Sequence, residues 1–256
     1  MINRQNTSKK NITLSEHSGF CFGVSKAVDT CKSELLKAYE IGERLYCLGE
    51  LIHNKYVIEK LSDEGLITVQ SVDEVPENSS LLIRAHGEPP ITYEKAAAKN
   101  IKIIDATCPF VARIHRLAEK ADSAGRELIV IGDSEHPEVK GILGCSSAAL
   151  GAASDEEGLK GLLAKAKGPL CVVSQTTMSA EKFNTLCALL PEGSEIINTI
   201  CNATKERQDA AFELSKNSDA MIVIGGPHSS NSQKLAEICE ANCTTFFFHI
   251  FILCFP

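Results

Sequence analysis

The chain has 256 residues, 44% of them hydrophobic, and a formal net charge of −7 at pH 7. This length allows one large α/β domain or two to three small ones with a substantial core. The acidic balance argues against a nucleic-acid surface or an anionic-membrane surface, because either would need a basic footprint.

Residues 1–10 lack the apolar core of a signal peptide, and no apolar run reaches the roughly 18 residues of a membrane helix. The eleven cysteines are an odd number. In a chain that is not exported, an odd count indicates reduced thiols rather than a disulfide framework. We therefore expect a cytoplasmic protein that makes no membrane contact.

Short apolar runs alternate with helical patterns along the chain, which favours parallel sheets built from βαβ units. The predicted strands cover residues 11–14, 44–48, 81–83, 101–104, 127–131, 170–173, 196–197 and 220–224. The predicted helices cover residues 24–35, 56–61, 93–99, 110–121, 203–216 and 233–238. Nearly every strand ends in polar or sulfur-bearing residues, and in open parallel sheets ligands bind at the carboxyl ends of the strands.

Three cysteines recur in one setting, each after a short apolar run and at the start of a helical pattern. Cys21, Cys108 and Cys201 are 87 and 93 residues apart, which indicates three similar units that converge on one point. A thiol at a helix N-terminus has a lowered pKa and favours the thiolate that binds soft metals. Three thiolates without a fourth suit an iron-sulfur cluster with one open iron, whereas structural zinc sites usually show paired C-x-x-C ligands.

The alternative is that these are ordinary buried cysteines, since free cysteine is commonly buried as a small hydrophobe. We assign that role to Cys31, Cys47, Cys171 and Cys187, which do not stand at strand-to-helix junctions.

Three histidines, His53, His86 and His136, each follow a predicted strand. One such histidine is usually a loop residue, but three at equivalent positions indicate donors to phosphate oxygens. Residues 225–232, which include Ser229, Ser230 and Asn231, form a glycine-rich and hydroxyl-rich turn before a helix. This turn suits either an anion cradle or an ordinary helix N-cap.

Glu138 lies two residues after His136 and could be a surface residue at a helix start. If it instead faces a water-poor cavity near an iron, its pKa would be raised and it could donate a proton at neutral pH. Thr176 and Thr177 could extend such a donor through their hydroxyls, or they could be ordinary residues at a strand end.

Together these residues resemble the 4-hydroxy-3-methylbut-2-enyl diphosphate reductase family of the non-mevalonate isoprenoid pathway. The likeness is ordered and covers about residues 14–243. It rests on these segments: Gly19-Phe20-Cys21, His53-Asn54, Ala85-His86-Gly87, Asp105-Ala106-Thr107-Cys108-Pro109, His136-Pro137-Glu138-Val139, Gln175-Thr176-Thr177, Cys201-Asn202-Ala203-Thr204 and Ser229-Ser230-Asn231-Ser232.

The resemblance implies a trefoil of three α/β units around a central 4Fe-4S cluster held by Cys21, Cys108 and Cys201, with one iron open. The units would cover residues 22–107, 108–200 and 201–256, the last incomplete and completed in part by residues 1–21. The resemblance places the diphosphate among His53, His86, His136, Ser229, Ser230 and Asn231. Thr176 would contact the substrate oxygen, and Glu138 would supply the proton for water to leave.

The implied reaction is reductive dehydroxylation of the allylic diphosphate to isopentenyl and dimethylallyl diphosphates, with electrons from a ferredoxin or flavodoxin. Two other kinds of protein are compatible with the same sequence features. A quinolinate-synthase-like enzyme also has three units and three cysteines, but it would need cationic groups for substrate carboxylates. A non-enzymatic α/β module would bind metal without turnover.

The end of the chain departs from the family pattern. Residues 244–256 hold five of the ten phenylalanines and no charged residue, and the third unit is shorter than the other two. We therefore expect a C-terminal truncation, with residues 244–256 as a truncated or out-of-frame ending that leaves an exposed apolar tail. A terminal strand is the alternative.

Overall fold

The computed structural model describes residues 11–249, in which strands and helices alternate along the chain as the sequence predicts. The strands are β1 (Leu45–Leu48), β2 (Leu66–Val69), β3 (Ser80–Ile83), β4 (Lys102–Asp105), β5 (Glu127–Ile131), β6 (Ala149–Ala153), β7 (Leu170–Ser174), β8 (Glu195–Ile197), β9 (Ala220–Ile224) and β10 (Thr244–Phe248). The helices are α1 (Phe22–Ile41), α2 (Lys55–Asp63), α3 (Pro90–Ala98), α4 (Pro109–Ser123), α5 (Pro137–Leu143), α6 (Glu156–Leu163), α7 (Ala180–Cys187), α8 (Asn202–Lys216) and α9 (Ser230–Glu240).

The described strands form three parallel sheets with the orders β2-β1-β3-β4, β6-β5-β7-β8 and β10-β9. The predicted α/β class with parallel sheets is confirmed. The division into units at residues 107/108 and 200/201 stays a prediction. No helix in the described part of the chain is long and apolar enough to cross a lipid bilayer.

The first two sheets are covered on both faces, which is why their strands are almost continuously apolar. In the first sheet, Cys47 and Leu82 pack towards α1, while Leu81 and Ile83 pack on the opposite face with Ala96 of α3. In the second sheet, alternate residues of β5 likewise belong to two separate core clusters. The cores therefore fix the strands whose carboxyl ends carry the candidate site.

Helix ends follow local sequence signals. The helix α2 ends at Asp63, and Gly65 has φ +109°, a left-handed conformation that glycine adopts without steric cost. Asn54 begins the same helix by accepting a hydrogen bond from the Val57 N–H through its side chain.

The predicted strand at residues 11–14 is wrong. This segment has no strand structure, and Ile12 and Leu14 are 97% and 79% exposed. No described strand pairs with residues 11–14, and a segment without a partner strand leaves its backbone N–H and C=O groups to water. The sequence patterns did not predict β2, β6, α6 and α7.

The strand β10 pairs in parallel with β9, with Phe246 opposite Ile222 and Phe248 opposite Ile224. For residues 244–248 the terminal-strand alternative is therefore the one that the structure shows. Phe246 and Phe248 are 49% and 45% exposed, whereas Phe247 packs against the core of the third sheet. Residues 250–256, the rest of the expected apolar tail, lie outside the described residues.

Candidate functional site

Three cysteines stand at the starts of three helices. Cys21, Cys108 and Cys201 are the N-cap residues of α1, α4 and α8, as predicted from their strand-to-helix positions. None of these helices has an acidic residue in its first turn. The thiols are thus near unpaired backbone N–H groups with no competing carboxylate in that turn.

The starts of the three helices come together. A Cβ atom placed on Gly23 would lie only 2.6 Å from Cys108 Sγ, so glycine leaves room for that thiol, and the same atom would lie 4.0 Å from Cys21 Sγ. Burial raises the pKa of the Cys108 thiol, and Cys21 and Cys201 raise it further by their own negative charge. The expected lowering of pKa at a helix start is therefore wrong for Cys108, although the Phe110 and Val111 N–H groups do act in that direction.

Three partly buried thiols that repel one another as thiolates can all ionise only when a cation lies between them. Within residues 11–249, the potential metal-ligand atoms that all lie within 4.8 Å of one another belong to three histidines. The three cysteines do not form such a tight group, so their sulfur atoms are spaced more widely. A wider arrangement suits a multi-iron cluster, in which each thiolate binds a different iron, better than a single metal ion. The donor set therefore fits a cluster with three thiolate ligands.

His53, His86 and His136 meet at the carboxyl ends of the strands. Their ring centroids are 4.5 Å apart for His53 and His86, and 5.2 Å for each other pair. Burial, more than any other influence, lowers the pKa of His53 and of His136 to about 4 and keeps the pKa of His86 well below its usual range. All three are therefore neutral at pH 7 and can act as hydrogen-bond donors without fixed charge.

The hydrogen bonding of His136 decides between an anion and a metal at this cluster. His136 is the N-cap of α5, and its Nδ1 accepts a hydrogen bond from the Glu138 N–H at 3.2 Å. An Nδ1 that accepts places the proton of the neutral ring on Nε2, which is then a donor. A donor favours an anion such as phosphate, because a metal would require an unprotonated Nε2.

These histidines should make the stability depend on pH. Between pH 7.5 and 5.5, histidine with an ordinary pKa near 6.5 takes up protons in the unfolded chain while buried His53 and His136 stay neutral. The free energy of unfolding should therefore be lower at pH 5.5 than at pH 7.5 by about 1 kcal/mol per histidine. This loss corresponds to a decrease of roughly 2–4 °C in melting temperature for each histidine. Anaerobic calorimetry of the intact protein and of His53→Leu/His136→Leu checks this, and an identical pH dependence in both would contradict it.

Glu138 is buried in the first turn of α5, and the alternative of an exposed surface glutamate is wrong. Its Oε1 accepts a hydrogen bond from the Thr176 N–H and its Oε2 accepts one from Thr176 Oγ1, both at 2.7 Å. Burial raises the pKa of Glu138, and the two bonds from Thr176 oppose that rise. A carboxyl group with a raised pKa and a hydroxyl partner is suited to deliver a proton near neutral pH.

Backbone hydrogen bonds join the cysteines to these loops. The Cys201 N–H donates to the Thr176 carbonyl at 3.1 Å, and the Cys108 N–H donates to the Ala85 carbonyl, one residue before His86, at 3.0 Å. The thiols, the histidines and the carboxyl group thus belong to one continuous structure.

The loop at residues 225–232 closes the site from the third sheet. A Cβ atom on Gly226 would collide with the His53 carbonyl oxygen, and Ser230 Oγ lies 2.8 Å from Thr177 Oγ1. Ser229 is the N-cap of α9 and accepts a hydrogen bond from the Ser232 N–H, so the N-cap alternative holds for it. Asn231 is half-buried in the first turn of α9.

The structure adds two residues that the sequence reading did not select. Arg84 follows β3, and its positive charge lowers the pKa of all three histidines. Its guanidinium group forms an ion pair with the Glu88 carboxylate at 3.0 Å. Gln175 is buried, and its Oε1 accepts a hydrogen bond from the Asp133 N–H. Its Nε2 lies 3.5 Å from Ser230 Oγ. Both stand at strand ends beside selected residues, which is the only sequence signal that could have found them.

Comparisons with known proteins give a family match and several named relatives. A family model described as LytB protein matches residues 12–250. The chain is 42% identical over 240 residues to 4-hydroxy-3-methylbut-2-enyl diphosphate reductase of Clostridioides difficile, covering 92% of this chain and 85% of that protein. It is 40% identical over 242 residues to the reductase of the same name from Alkaliphilus oremlandii, covering 93% and 85%.

Solved structures give the same result. The E-1-hydroxy-2-methyl-but-2-enyl-4-diphosphate reductase from Plasmodium falciparum matches with a TM-score of 0.82 at 30% identity, covering 90% of this chain and 74% of that one. A structure of (E)-4-hydroxy-3-methyl-but-2-enyl diphosphate reductase, described as the terminal enzyme of the non-mevalonate pathway, matches with a TM-score of 0.68 at 33% identity, covering 92% and 84%.

Proposed function

Because the chain belongs to the LytB protein family, we propose that it is an oxidoreductase that converts 4-hydroxy-3-methylbut-2-enyl diphosphate into isopentenyl and dimethylallyl diphosphates. The reaction removes the allylic hydroxyl group as water and consumes two electrons and two protons. The fold of parallel α/β sheets and the named relatives support this activity. The roles of individual residues rest on the geometry of the site.

Cys21, Cys108 and Cys201 would hold a 4Fe-4S cluster through one thiolate each. A bound cluster would supply one-electron transfers and Lewis acidity. The protein's contribution is to gather three thiols at helix starts that carry no acidic residue in the first turn. The ten cysteines in the described structure are all free, which supports a reducing compartment such as the cytoplasm.

The diphosphate would bind at the histidine cluster and the loop at residues 225–232. His136 would donate from Nε2, while His53 and His86 have buried ring nitrogens without a hydrogen-bond partner in the described structure. Such groups cost free energy unless a ligand satisfies them. Ser229, Ser230 and Asn231 would add donors at the N-terminus of α9, where the positive end of the helix dipole favours an anion.

Glu138 would supply the proton that lets water leave, and Thr176 would contact the substrate's hydroxyl oxygen and relay that proton. The Thr176 hydroxyl donates to Glu138 Oε2 at 2.7 Å. When Glu138 is protonated, its O–H would donate across this contact instead, and the Thr176 O–H would turn to the substrate oxygen and pass the proton on. Burial of Glu138 keeps competing water away from the carboxyl group.

One observation carries the proposal. Thr176 is hydrogen-bonded both to Glu138, through its hydroxyl group, and to the Cys201 N–H, through its carbonyl oxygen. A proton donor is thereby fixed beside a cluster ligand, which a non-enzymatic metal-binding module would not need. A quinolinate-synthase-like reaction would need free cations for carboxylates, whereas the nearby cation Arg84 is already paired with Glu88.

We expect His53→Leu to weaken substrate binding more than it slows the chemistry. Loss of one donor to a charged phosphate should raise KM by roughly 10- to 100-fold, with a smaller fall in kcat and unchanged iron content. Steady-state kinetics compare this variant with His17→Leu, in which an exposed histidine outside the cluster is changed. An unchanged KM in His53→Leu would remove this histidine from the binding site.

The proposed activity is tested with protein purified without oxygen, a reduced one-electron dye and the allylic diphosphate. Formation of isopentenyl and dimethylallyl diphosphates supports the proposal. Metal binding without any product would favour the non-enzymatic alternative, and condensation of quinolinate precursors would favour the other enzyme. In the cell we propose that a ferredoxin or flavodoxin supplies the electrons.

A further inference from the structure

Three phenylalanines next to the cluster cysteines are exposed. Phe20, Phe22 and Phe110 are 48%, 66% and 38% exposed, and they lie within two residues of Cys21 or Cys108. A core position would bury such rings, and large apolar groups gathered on a surface mark contact sites for partners. None of the roles assigned above uses these side chains.

The three rings share one region of the surface. The tight approach of Gly23 to Cys108 Sγ brings the start of α1, which carries Phe22, against the start of α4, which carries Phe110. Arg207 of α8 donates to the carbonyl oxygens of His17 at 2.8 Å and Gly19 at 2.9 Å, and this ties the segment before Phe20 to the third cysteine-bearing helix. The region thus surrounds the point where the thiols converge.

Basic side chains accompany the rings. Lys26 lies four residues after Phe22 on α1, and Arg113 lies three residues after Phe110 on α4, so each shares a helix face with its phenylalanine. Both are exposed, and neither has an ion pair within residues 11–249. Asp29 lies a further turn along α1, away from the cysteine end. These two positive charges, which no acidic side chain within residues 11–249 neutralises in an ion pair, are notable on a chain of net charge −7.

We propose that Phe20, Phe22, Phe110, Lys26 and Arg113, here called the aromatic-basic patch, form the docking surface for a small acidic protein that carries single electrons. The proposal rests on the proposed function and names the partner that its cluster requires. Exposed rings give a small apolar centre, and the two cations steer an acidic partner by long-range attraction. The carrier gives up one electron per encounter, so a weak and transient contact suits two successive deliveries.

The test compares two reductants. In Lys26→Glu/Arg113→Glu, kcat/KM for a reduced acidic flavodoxin or ferredoxin should fall by at least about tenfold at low salt, and the loss should shrink as salt is added. Turnover driven by reduced methyl viologen, a small dye that needs no docking surface, should stay unchanged. Phe22→Ala should likewise reduce only the protein-driven rate.

The matched control is Lys120→Glu/Lys165→Glu, which makes the same charge change at exposed residues. Lys120 lies in the last turn of α4, and Lys165 lies between α6 and β7, so both are far from the cysteine-bearing helix starts. An equal loss in the control, an equal loss with the dye, or no loss with the carrier protein would overturn the docking proposal. Failure of the intact protein to turn over with the dye would overturn the proposed function, and the docking surface with it.

Discussion

Replacement of Cys21, Cys108 or Cys201 by serine should each remove most of the cluster iron and, with it, nearly all turnover. Each of these thiols opens a different helix, and the three lie close enough for the charges of Cys21 and Cys201 to raise the pKa of Cys108. A serine hydroxyl is a much poorer ligand for iron because it does not ionise near neutral pH. Iron and sulfide analysis of anaerobically purified protein measures the loss.

Cys31 and Cys187 provide the control, because they are cysteines in core clusters away from the three helix starts. Burial raises the pKa of Cys31 to about 12 and of Cys187 to about 11, which keeps both as neutral thiols that bind metal poorly. Serine at either position should leave the iron content unchanged, although Cys31→Ser costs some stability in the core. Equal iron in all five variants would contradict the assignment of ligands.

Replacement of Glu138 by glutamine should keep the iron content and lower kcat by about 10²- to 10⁴-fold. The amide fills the same space and can still accept the hydrogen bond from the Thr176 N–H, but it cannot deliver a proton. Because the lost interaction belongs to the chemical step, KM should change much less than kcat. Anaerobic kinetics with a reduced dye separate the two parameters.

Glu135→Gln is the matched control for this variant. Glu135 lies in the same loop, but it is exposed and paired with Lys140 at the surface. It should retain full turnover. If Glu138→Gln also kept most of the rate, the proton would have to come from elsewhere, and His136 would be the next candidate.

The candidate site residues that could be selected from the sequence are those that local patterns encode. A cysteine, histidine or threonine at the end of a short apolar strand, followed by a helical pattern, is visible without any tertiary information. For that reason Cys108, His86 and Thr176 could be selected from the chain. The parallel sheets also followed from the alternation of strands and helices.

Contacts between distant segments could not be predicted in this way. The bonds between Glu138 and Thr176 span 38 residues, and they depend on the order of strands in the second sheet. Arg84 lowers the pKa of His53 and His136 because the pairing of β1 with β3 and the position of the second sheet bring these residues close together. The strand predicted at residues 11–14 failed because its alternating pattern says nothing about whether a partner strand is present.

Reductive dehydroxylation by this protein is tested most directly by a single-turnover experiment in deuterated water with the intact protein, the allylic diphosphate and a measured amount of reduced dye. This reaction should oxidise two equivalents of dye per product and place one deuterium on a carbon of the isopentenyl and dimethylallyl diphosphates, with the hydroxyl oxygen released as water. Consumption of the substrate without dye oxidation, or a product that retains the hydroxyl group, would contradict it.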